Sequence, residues 1–478
     1  MEMLPQICGL ERETAEARTH RDPVYVRESD INFSAVKSTF GNALHMHQPL
    51  VPEGSGDMRT SPVIGHLQYM LEHPNEGDNH NAAVFRWCYK RMGEFIPKAL
   101  DEGHSPRIML DYSGCLLFGL QQMGADDVLD ALKRITCEPG YRRCVEWLGT
   151  AWGHAVAPST PVQDFRLHVQ AWQQHFLSLF GEEALSRVRG FSPPEMALPN
   201  HPDVAFEFVK TLLECGYEWV LVQEHTVEQK GTGEGVRETH VPHRLVARNS
   251  DGERAEITAI IKTQGSDTKL VAQMQPYYEA RGLSPRDVGG IRMVPLVTQI
   301  ADGENGGVMM NEFPGKYLSV MAEASGSEHP PINVTEYLEF VARAGTDPAR
   351  FPAIQPIMQQ RIWDRVGDGV GADRIAAAID ALRKEDDRFN MDGGSWTNNL
   401  SWVKGYEQVL GPMEKASAQF AEKVLAANID PSEYRYRNAL FHLLMAQTSC
   451  YRYWGEGRWT DYGKELCRRT MRILAADF

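Results

Sequence analysis

The sequence predicts an α/β fold, namely a distorted, TIM-like (β/α)7 barrel followed by a C-terminal helical domain. The first observation behind this prediction is that short β-prone segments alternate with longer stretches in which apolar residues recur every three or four positions, as in parallel βαβ units. The second is that this strand signal ends near residue 330, after which only helical patterns follow. The third is the length, because 478 residues exceed what one hydrophobic core usually supports.

Seven segments have the length and composition of buried strands. In chain order they are NALHMH, PRIMLDY, VEWLGTA, RVRGFS, YEWVLVQ, EITAIIK and VPLVTQI. Long segments between them, such as residues 79–103 and 160–181, have the apolar spacing of helices. The Gly- and charge-rich residues 231–256 are expected to form a surface loop.

Three parts of the chain are expected. Residues 1–38 are polar and irregular and form an N-terminal extension, residues 39–330 form the barrel, and residues 331–478 form the helical domain. The helices of the last part are expected at residues 348–367, 372–385, 405–427 and 433–455.

Charge and composition exclude several classes of function. The formal net charge of -15 disfavours binding to nucleic acid and to anionic membrane surfaces. No run approaches the eighteen or so apolar residues of a membrane span, and the N-terminus lacks the pattern of a secretory signal, so we expect a cytoplasmic protein without a membrane partner. The 8 cysteines include no CxxC pair, which indicates reduced thiols and no metal site or cofactor. The oligomeric state is left open.

Polar side chains follow four of the seven predicted strands. Because the carboxyl ends of parallel barrel strands meet at one face, we expect these side chains to lie close together. Each motif alone has a structural explanation, such as a core histidine, a carboxylate at a helix start or an Asp-Gly turn, but their joint occurrence indicates a site. The candidates are His45, His47 and Gln48 after the first strand, His154 after the third, Glu195 after the fourth, and Asp302 and Glu304 after the seventh. Asp111 ends the second strand, where a structural role is the simpler interpretation.

In order and spacing, these motifs resemble the conserved regions of glycoside hydrolase family 57, whose members act on α-glucans. The matching residues are His45, His47, Gln48 and Pro49; His154 and Pro158; Gly190, Phe191, Pro194 and Glu195; Asp302, Gly303, Glu304 and Asn305; and Ser395, Trp396 and Trp402. The resemblance covers residues 40 to 465 or so and extends to LLMAQTSCYRYWG near the end of the chain.

The resemblance implies a retaining double displacement on an α-glucan or oligosaccharide, with a covalent glycosyl-enzyme intermediate. Glu195 would be the nucleophile and Asp302 the acid/base, and retention requires their carboxyl groups to lie about 5–5.5 Å apart. Glu304 is the rival for the acid role. The remaining family positions would bind substrate: His45, His47, Gln48 and His154 by hydrogen bonds, and Trp396 and Trp402, from the helical domain, by stacking on sugar rings.

Two departures from the family pattern fall close to these residues. Ser192 stands where the family usually has tryptophan, which suggests an altered sugar subsite, and GGVMMNEFP replaces the usual continuation after Asn305.

Two alternative functions therefore stay open. One is a metal-dependent sugar hydrolase that uses His45 and His47 as zinc ligands, and the other is a glucan-binding protein with impaired catalysis. Hydrolysis, 4-α-glucan transfer and branching share one intermediate and are not distinguished by these motifs.

Overall fold

Seven parallel strands close into a barrel at the centre of the computed structural model, which describes residues 3–20, 22–263, 268–304, 306–395, 407–453 and 457–478. The barrel closes where Lys262 of the sixth strand pairs with Thr298 of the seventh. The strands are β1 (Thr39–Met46), β2 (Ile108–Tyr112), β3 (Val145–Gly149), β4 (Gly190–Phe191), β5 (Trp219–Gln223), β6 (Arg254–Lys262) and β7 (Leu296–Asp302). All seven predicted strands are present, and the predicted fold class is confirmed.

Apart from the partly exposed start of β6, the barrel strands are buried on both faces, as in other parallel sheets that are covered by helices. Every residue of β1 is buried, which explains why its sequence shows no polar alternation. The helices of the barrel part are His66–Glu72, Ala82–Lys90, Met92–Asp101, Gly114–Gln122, Asp126–Cys137, Val162–Phe180, Glu182–Ser186, Pro202–Glu214, Thr268–Ala272, Gln275–Ala280, Gly306–Asn311 and Phe313–Ala324. None of the helices in the described ranges has both the length and the apolar content to cross a membrane.

Two expectations about strands outside the barrel are wrong. The stretch 231–256 is not only a loop, because His243–Arg248 pairs antiparallel with β6. The strand signal also does not end at residue 330, because Ala353–Pro356 joins the same sheet beside His243–Arg248 and Val227–Gln229. Both strands lie at the sheet's extension beyond the barrel, where a short strand needs no continuous apolar run. Two further hairpins pair Leu50–Val51 with Ile64–Gly65 and Arg286–Val288 with Ile291–Met293.

The remainder of the chain after the barrel is mostly helical. Its helices are Val334–Arg343, Gln359–Val366, Ala372–Glu385, Glu407–Phe420 with the π-turn Ala421–Leu425, Tyr434–Ala446, Cys450–Tyr453 and Arg458–Asp477. The end of Tyr434–Ala446 lies against the loop that follows β3. Gly153 permits this approach, since a Cβ atom at this position would lie 2.3 Å from the carbonyl oxygen of Leu444.

The segment that precedes β1 packs against the barrel. Its described residues include the α-helix Glu11–Thr19, the 3-10 helix Phe33–Ala35 and the buried Tyr25, whose hydroxyl donates to the carbonyl of Val145 over 3.0 Å. The backbone N–H groups of residues 24–26 donate to the carboxylate of Glu339, a residue of the helix Val334–Arg343.

A buried ion pair lies at the amino end of the barrel. Arg107, next to β2, donates two hydrogen bonds to Glu336 over 2.8 and 3.0 Å, and each side chain is only 1% exposed. Asp30 lies 2.8 Å from the same guanidinium group. Glu336 also caps its own helix together with Asn333. This pair therefore joins the helix Val334–Arg343 to the barrel.

Replacing Glu336 with alanine is expected to destabilise the fold by about 3 kcal/mol, the lower end of the range for a broken buried pair, because Asp30 still contacts Arg107. Urea denaturation followed by circular dichroism measures this loss. The control is Glu385→Ala, which breaks an exposed ion pair with Arg365 and should leave the urea midpoint of unfolding unchanged. Equal shifts in the two variants would contradict the prediction.

Candidate active site

A cavity of about 590 Å³ opens at the carboxyl end of the barrel. Seven of the side chains singled out from the sequence line it, namely His45, His47, Gln48, His154, Glu195, Asp302 and Glu304. Trp396 and Trp402 lie outside the described residues. A second cavity, of about 780 Å³, lies at the amino end of the barrel around Arg189 and Trp219, and none of the candidate residues lines it.

The register of the barrel strands places His45, Asp111 and Asp302 at one level. His45 of β1 is the register partner of Asp302 of β7 on one side and of Asp111 of β2 on the other. The N–H of Gly303, directly after Asp302, donates to the carbonyl of His45 over 2.7 Å and extends this pairing. Three neighbouring strands therefore carry ionisable side chains at the same height near their carboxyl ends.

Two of the lining residues have left-handed backbone conformations, which are uncommon for residues other than glycine. His154 has φ 55° and Glu195 has φ 59°, and Met196, next to Glu195, has φ 50°. Such conformations cost free energy and persist only where the surrounding structure imposes them, most often at functional sites. Glu195 lies in the short 3-10 turn Pro194–Met196 after β4.

A chain of hydrogen bonds connects the buried Asp111 to Glu195. His45 Nδ1 lies 2.9 Å from Asp111 Oδ2, and His45 Nε2 lies 2.9 Å from His154 Nε2. His154 Nδ1 lies 2.7 Å from Ser449 Oγ, and this hydroxyl donates to Glu195 Oε1 over 3.3 Å. The chain thus crosses from β2 to β1, then to the loop after β3, and reaches Glu195 through a residue of the helical part.

The two histidines of this chain differ in protonation. Burial by itself lowers the pKa of His45, but the charge of Asp111 and its hydrogen bond, aided by the carboxylates of Asp302 and Glu304, raise this pKa to about 9. Burial and the neighbouring His47 and His45 hold the pKa of His154 well below its usual range. Near neutral pH, His45 is therefore a cation and His154 is neutral.

Glu304 is a buried carboxyl group with one oxygen in contact with protein donors. Its Oε1 accepts from the backbone N–H of His47 over 3.2 Å and from the hydroxyl of Tyr89 over 3.3 Å. Its Oε2 has no hydrogen-bond partner within the described residues. Burial and the nearby Asp302 raise the pKa of Glu304 to about 8. Glu304 can therefore act as a proton or hydrogen-bond donor near neutral pH.

Part of the cavity wall is aromatic and was not identified from the sequence. It consists of Tyr69, Phe85, Trp459 and Tyr462. Arg458 lies over the rings of Tyr69 and Tyr462, 5.0 and 5.6 Å from their centroids, and pairs with the buried Glu53 over 2.7 Å. The available signal was the stretch RWTDY at the start of the last helix, where two aromatic residues three positions apart share one face.

The residue expected to alter a sugar subsite does not line the cavity. Ser192 is 1% exposed, and its backbone N–H donates to the carbonyl of Gly149 over 2.8 Å. After Asn305, the departing sequence forms the helix Gly306–Asn311, whose Met309 carbonyl accepts from the buried Arg91 over 2.5 Å. The departure at Ser192 therefore concerns the packing between β3 and β4.

The zinc alternative finds little support in the geometry. Both ring nitrogens of His45 are engaged, one by Asp111 and the other by His154, so neither is available as a ligand without breaking the hydrogen-bond chain. In the part of the chain that the structure describes, no three His, Cys, Asp or Glu side chains form a group that could hold a metal ion.

The sequence matches no protein-family model and no curated protein, but the fold is similar to several solved structures. A 4-α-glucanotransferase from Thermococcus litoralis aligns with TM-score 0.58 at 15% identity, over 93% of this chain and 60% of that chain. The α-amylase AmyC from Thermotoga maritima aligns with a TM-score of 0.51 at 11% identity, over 92% of this chain and 93% of that chain. An exo-type maltose-forming amylase from Pyrococcus sp. ST04 aligns with a TM-score of 0.50 at 13% identity, over 91% of this chain and 79% of that chain.

These likenesses concern the fold. This chain spans about 60% of the length of the glucanotransferase. Its fold is of the type expected from the resemblance to glycoside hydrolase family 57, so that expectation is confirmed.

The raised pKa of Glu304 makes the stability of the protein depend on pH. Between the ordinary value of 4.5 and the folded value of about 8, the folded state holds a proton that the unfolded state releases, so the free energy of unfolding falls as pH rises through this window. Glu304→Gln is expected to reduce that fall and to be more stable relative to wild type at pH 8 or so than at pH 5 or so. Urea denaturation across this range measures the difference, and parallel curves for the two proteins would refute it.

Proposed function

We propose that the chain is a retaining glycoside hydrolase or transglycosylase that acts on α-glucans through a covalent glycosyl-enzyme intermediate. The observation that carries the proposal is the convergence of motif residues from four strand ends on one cavity. The cavity lies at the carboxyl end of the barrel, where the active sites of such barrels are found. The fold shared with solved α-glucan-active enzymes supports the same substrate class.

In the first step, Glu195 attacks the anomeric carbon and forms an ester with it, while Asp302 gives its proton to the leaving glycosidic oxygen. In the second step, Asp302 takes a proton from water or from a sugar hydroxyl, which attacks the anomeric carbon and releases Glu195. Both carboxyl groups line the cavity. Water as the acceptor gives hydrolysis, and a sugar hydroxyl gives transfer or branching.

The surrounding polar groups would bind sugar hydroxyls. The ring of His47 is neutral because burial and the neighbouring His45 hold its pKa well below the usual range. Its Nδ1 lies 2.7 Å from Ser113 Oγ, whereas its Nε2 has no partner among the described residues. Gln48 is oriented by His66, whose Nδ1 lies 2.9 Å from Oε1 of Gln48.

Glu304 has the properties of a hydrogen-bond donor to substrate. Its raised pKa keeps it protonated near neutral pH, and Oε2 has no partner within the described ranges. It therefore remains the rival of Asp302 for the acid role.

The aromatic wall would contribute apolar faces, since a pyranose presents C–H groups to an aromatic ring. Trp459 and Tyr462 would take in this way the part expected of Trp396 and Trp402.

Product analysis distinguishes the possible reactions. Incubation with maltooligosaccharides, amylose and pullulan, followed by analysis of chain length and linkage, gives shorter chains alone for hydrolysis. It gives a redistributed ladder for transfer and new 1,6 linkages for branching. If wild type and Glu195→Gln bind these glucans equally well and neither changes them, the chain is a glucan-binding protein without catalysis.

Truncating the two carboxylates separately is expected to lower turnover on an α-glucan by about 10³-fold or more. Azide then reports the role of each residue, because it enters the space that the carboxylate leaves. With an α-glucosyl substrate that has a good leaving group, Glu195→Ala should yield the β-glucosyl azide and Asp302→Ala the α-glucosyl azide. Analysis of the products by NMR shows the configuration. An α-azide from Glu304→Ala and none from Asp302→Ala would transfer the acid/base role to Glu304.

His47→Ala should lower kcat by about 10-fold or more without a change in metal content, because it removes a hydrogen-bond donor to the sugar and no ligand. Elemental analysis and assays with EDTA measure this. If EDTA abolished wild-type activity and Zn²⁺ restored it, the metal-dependent alternative would replace the double displacement.

A further inference from the structure

We propose that Ser449 positions the Glu195 carboxylate as the last donor of a directed chain of hydrogen bonds that starts at His45, which the buried Asp111 holds, and runs through His154 to Glu195. The inference rests on the proposed role of Glu195 as nucleophile. Ser449 lies outside the barrel, in the stretch LLMAQTSCYRYWG, between the helices Tyr434–Ala446 and Cys450–Tyr453.

The position of Ser449 is fixed from two sides. It is fully buried, and its backbone N–H donates to the carbonyl of His154 over 3.2 Å while its hydroxyl lies 2.7 Å from the ring of the same residue. The next turn holds it as well, since the N–H of Arg452 donates to the carbonyl of Ser449 over 2.9 Å. A hydroxyl held in this way presents its hydrogen in a defined direction.

From His45 onward, every donor in this series of hydrogen bonds points toward Glu195, whereas the other N–H of His45 points to Asp111. The cationic His45 donates from Nδ1 to Asp111 and from Nε2 to Nε2 of His154, which can accept because His154 is neutral. A neutral His154 that accepts at Nε2 must carry its proton on Nδ1, so it donates to Ser449 Oγ. The hydroxyl hydrogen of Ser449 is then available only as a donor, and it is directed to Glu195 Oε1.

This direction suits a nucleophile. A hydrogen bond donated to a carboxylate stabilises the charged form, which is the form that attacks. The cation at His45 polarises the chain toward Glu195, and the buried Asp111, 1% exposed, keeps that cation in place. The described charged and titratable groups that surround these hydrogen bonds are His47, Arg452, Cys450, Asp302 and Glu304.

The test compares Ser449→Ala with Ser449→Thr, which keeps the hydroxyl, and with Thr448→Ala. Thr448 is a matched control because it loses a buried hydroxyl of the same turn that donates to the carbonyl of Met445. Ser449→Ala is expected to lower kcat on maltooligosaccharides by about 10- to 100-fold, with KM changed by no more than about twofold. Ser449→Thr should recover most of the activity, and Thr448→Ala should resemble wild type.

The pH profile distinguishes positioning from general damage. Loss of a hydrogen bond to the ionised carboxylate should move the acid limb of kcat/KM upward by about half to one pH unit in Ser449→Ala and leave it in place in Thr448→Ala. The proposal would be overturned if the acid limb of kcat/KM in Ser449→Ala lay at the same pH as in wild type. An equal loss of kcat in Ser449→Ala and Thr448→Ala would overturn it as well.

A readout independent of activity separates this inference from the proposed function. In protein labelled with ¹⁵N-histidine, His154 should give the shifts of a neutral ring protonated at Nδ1 and His45 those of an imidazolium, and Ser449→Ala should change the His154 signals. If wild type has no glucan activity but these signals appear, the hydrogen-bond chain stands and the proposed function fails. If His154 is protonated at Nε2, the directed chain is wrong whatever the activity.

Discussion

The buried contact between Asp111 and His45 is the interaction on which the carboxyl end of the barrel depends. Neither charge would be tolerated alone at this depth, because desolvation of an unpaired ion costs several kcal/mol or so. Asp111 thereby keeps His45, on β1 at the level of Asp302, in its protonated form. Burial, together with His47 and the charge of His45, keeps the neighbouring His154 neutral, and its protonation decides in which direction the hydrogen bonds to Glu195 can run.

The two ends of the barrel use buried charge differently. At the amino end, Arg107 and Glu336 satisfy each other with two hydrogen bonds and join a helix to the barrel. At the carboxyl end, polar atoms of His47 and Glu304 lack partners within the described ranges although they are buried. Such atoms cost free energy unless something binds them, so their presence in a cavity is expected of a site that a polar ligand completes.

The strands and the lining residues could be predicted because their signals are local. A strand buried on both faces appears as a short apolar run, and a polar residue at its end appears directly in the sequence. Ala353–Pro356 was missed because it is short, ends in proline and lies beyond the barrel, so its pairing with His243–Arg248 is decided by neighbours and not by composition. The aromatic wall was missed because Trp459 and Tyr462 lie on an amphipathic helix, where aromatic residues usually indicate core packing.

The sequence by itself determined which strands form the barrel and which of their terminal residues meet, because strand propensity and the parallel order of βαβ units specify both. Only the tertiary structure decided which of those residues carry a proton and what holds the Glu195 carboxylate. Those properties depend on burial and on contacts between distant residues. Ser449 is 254 positions from Glu195 and 295 positions from His154, so their contact depends on how distant segments pack and not on local spacing.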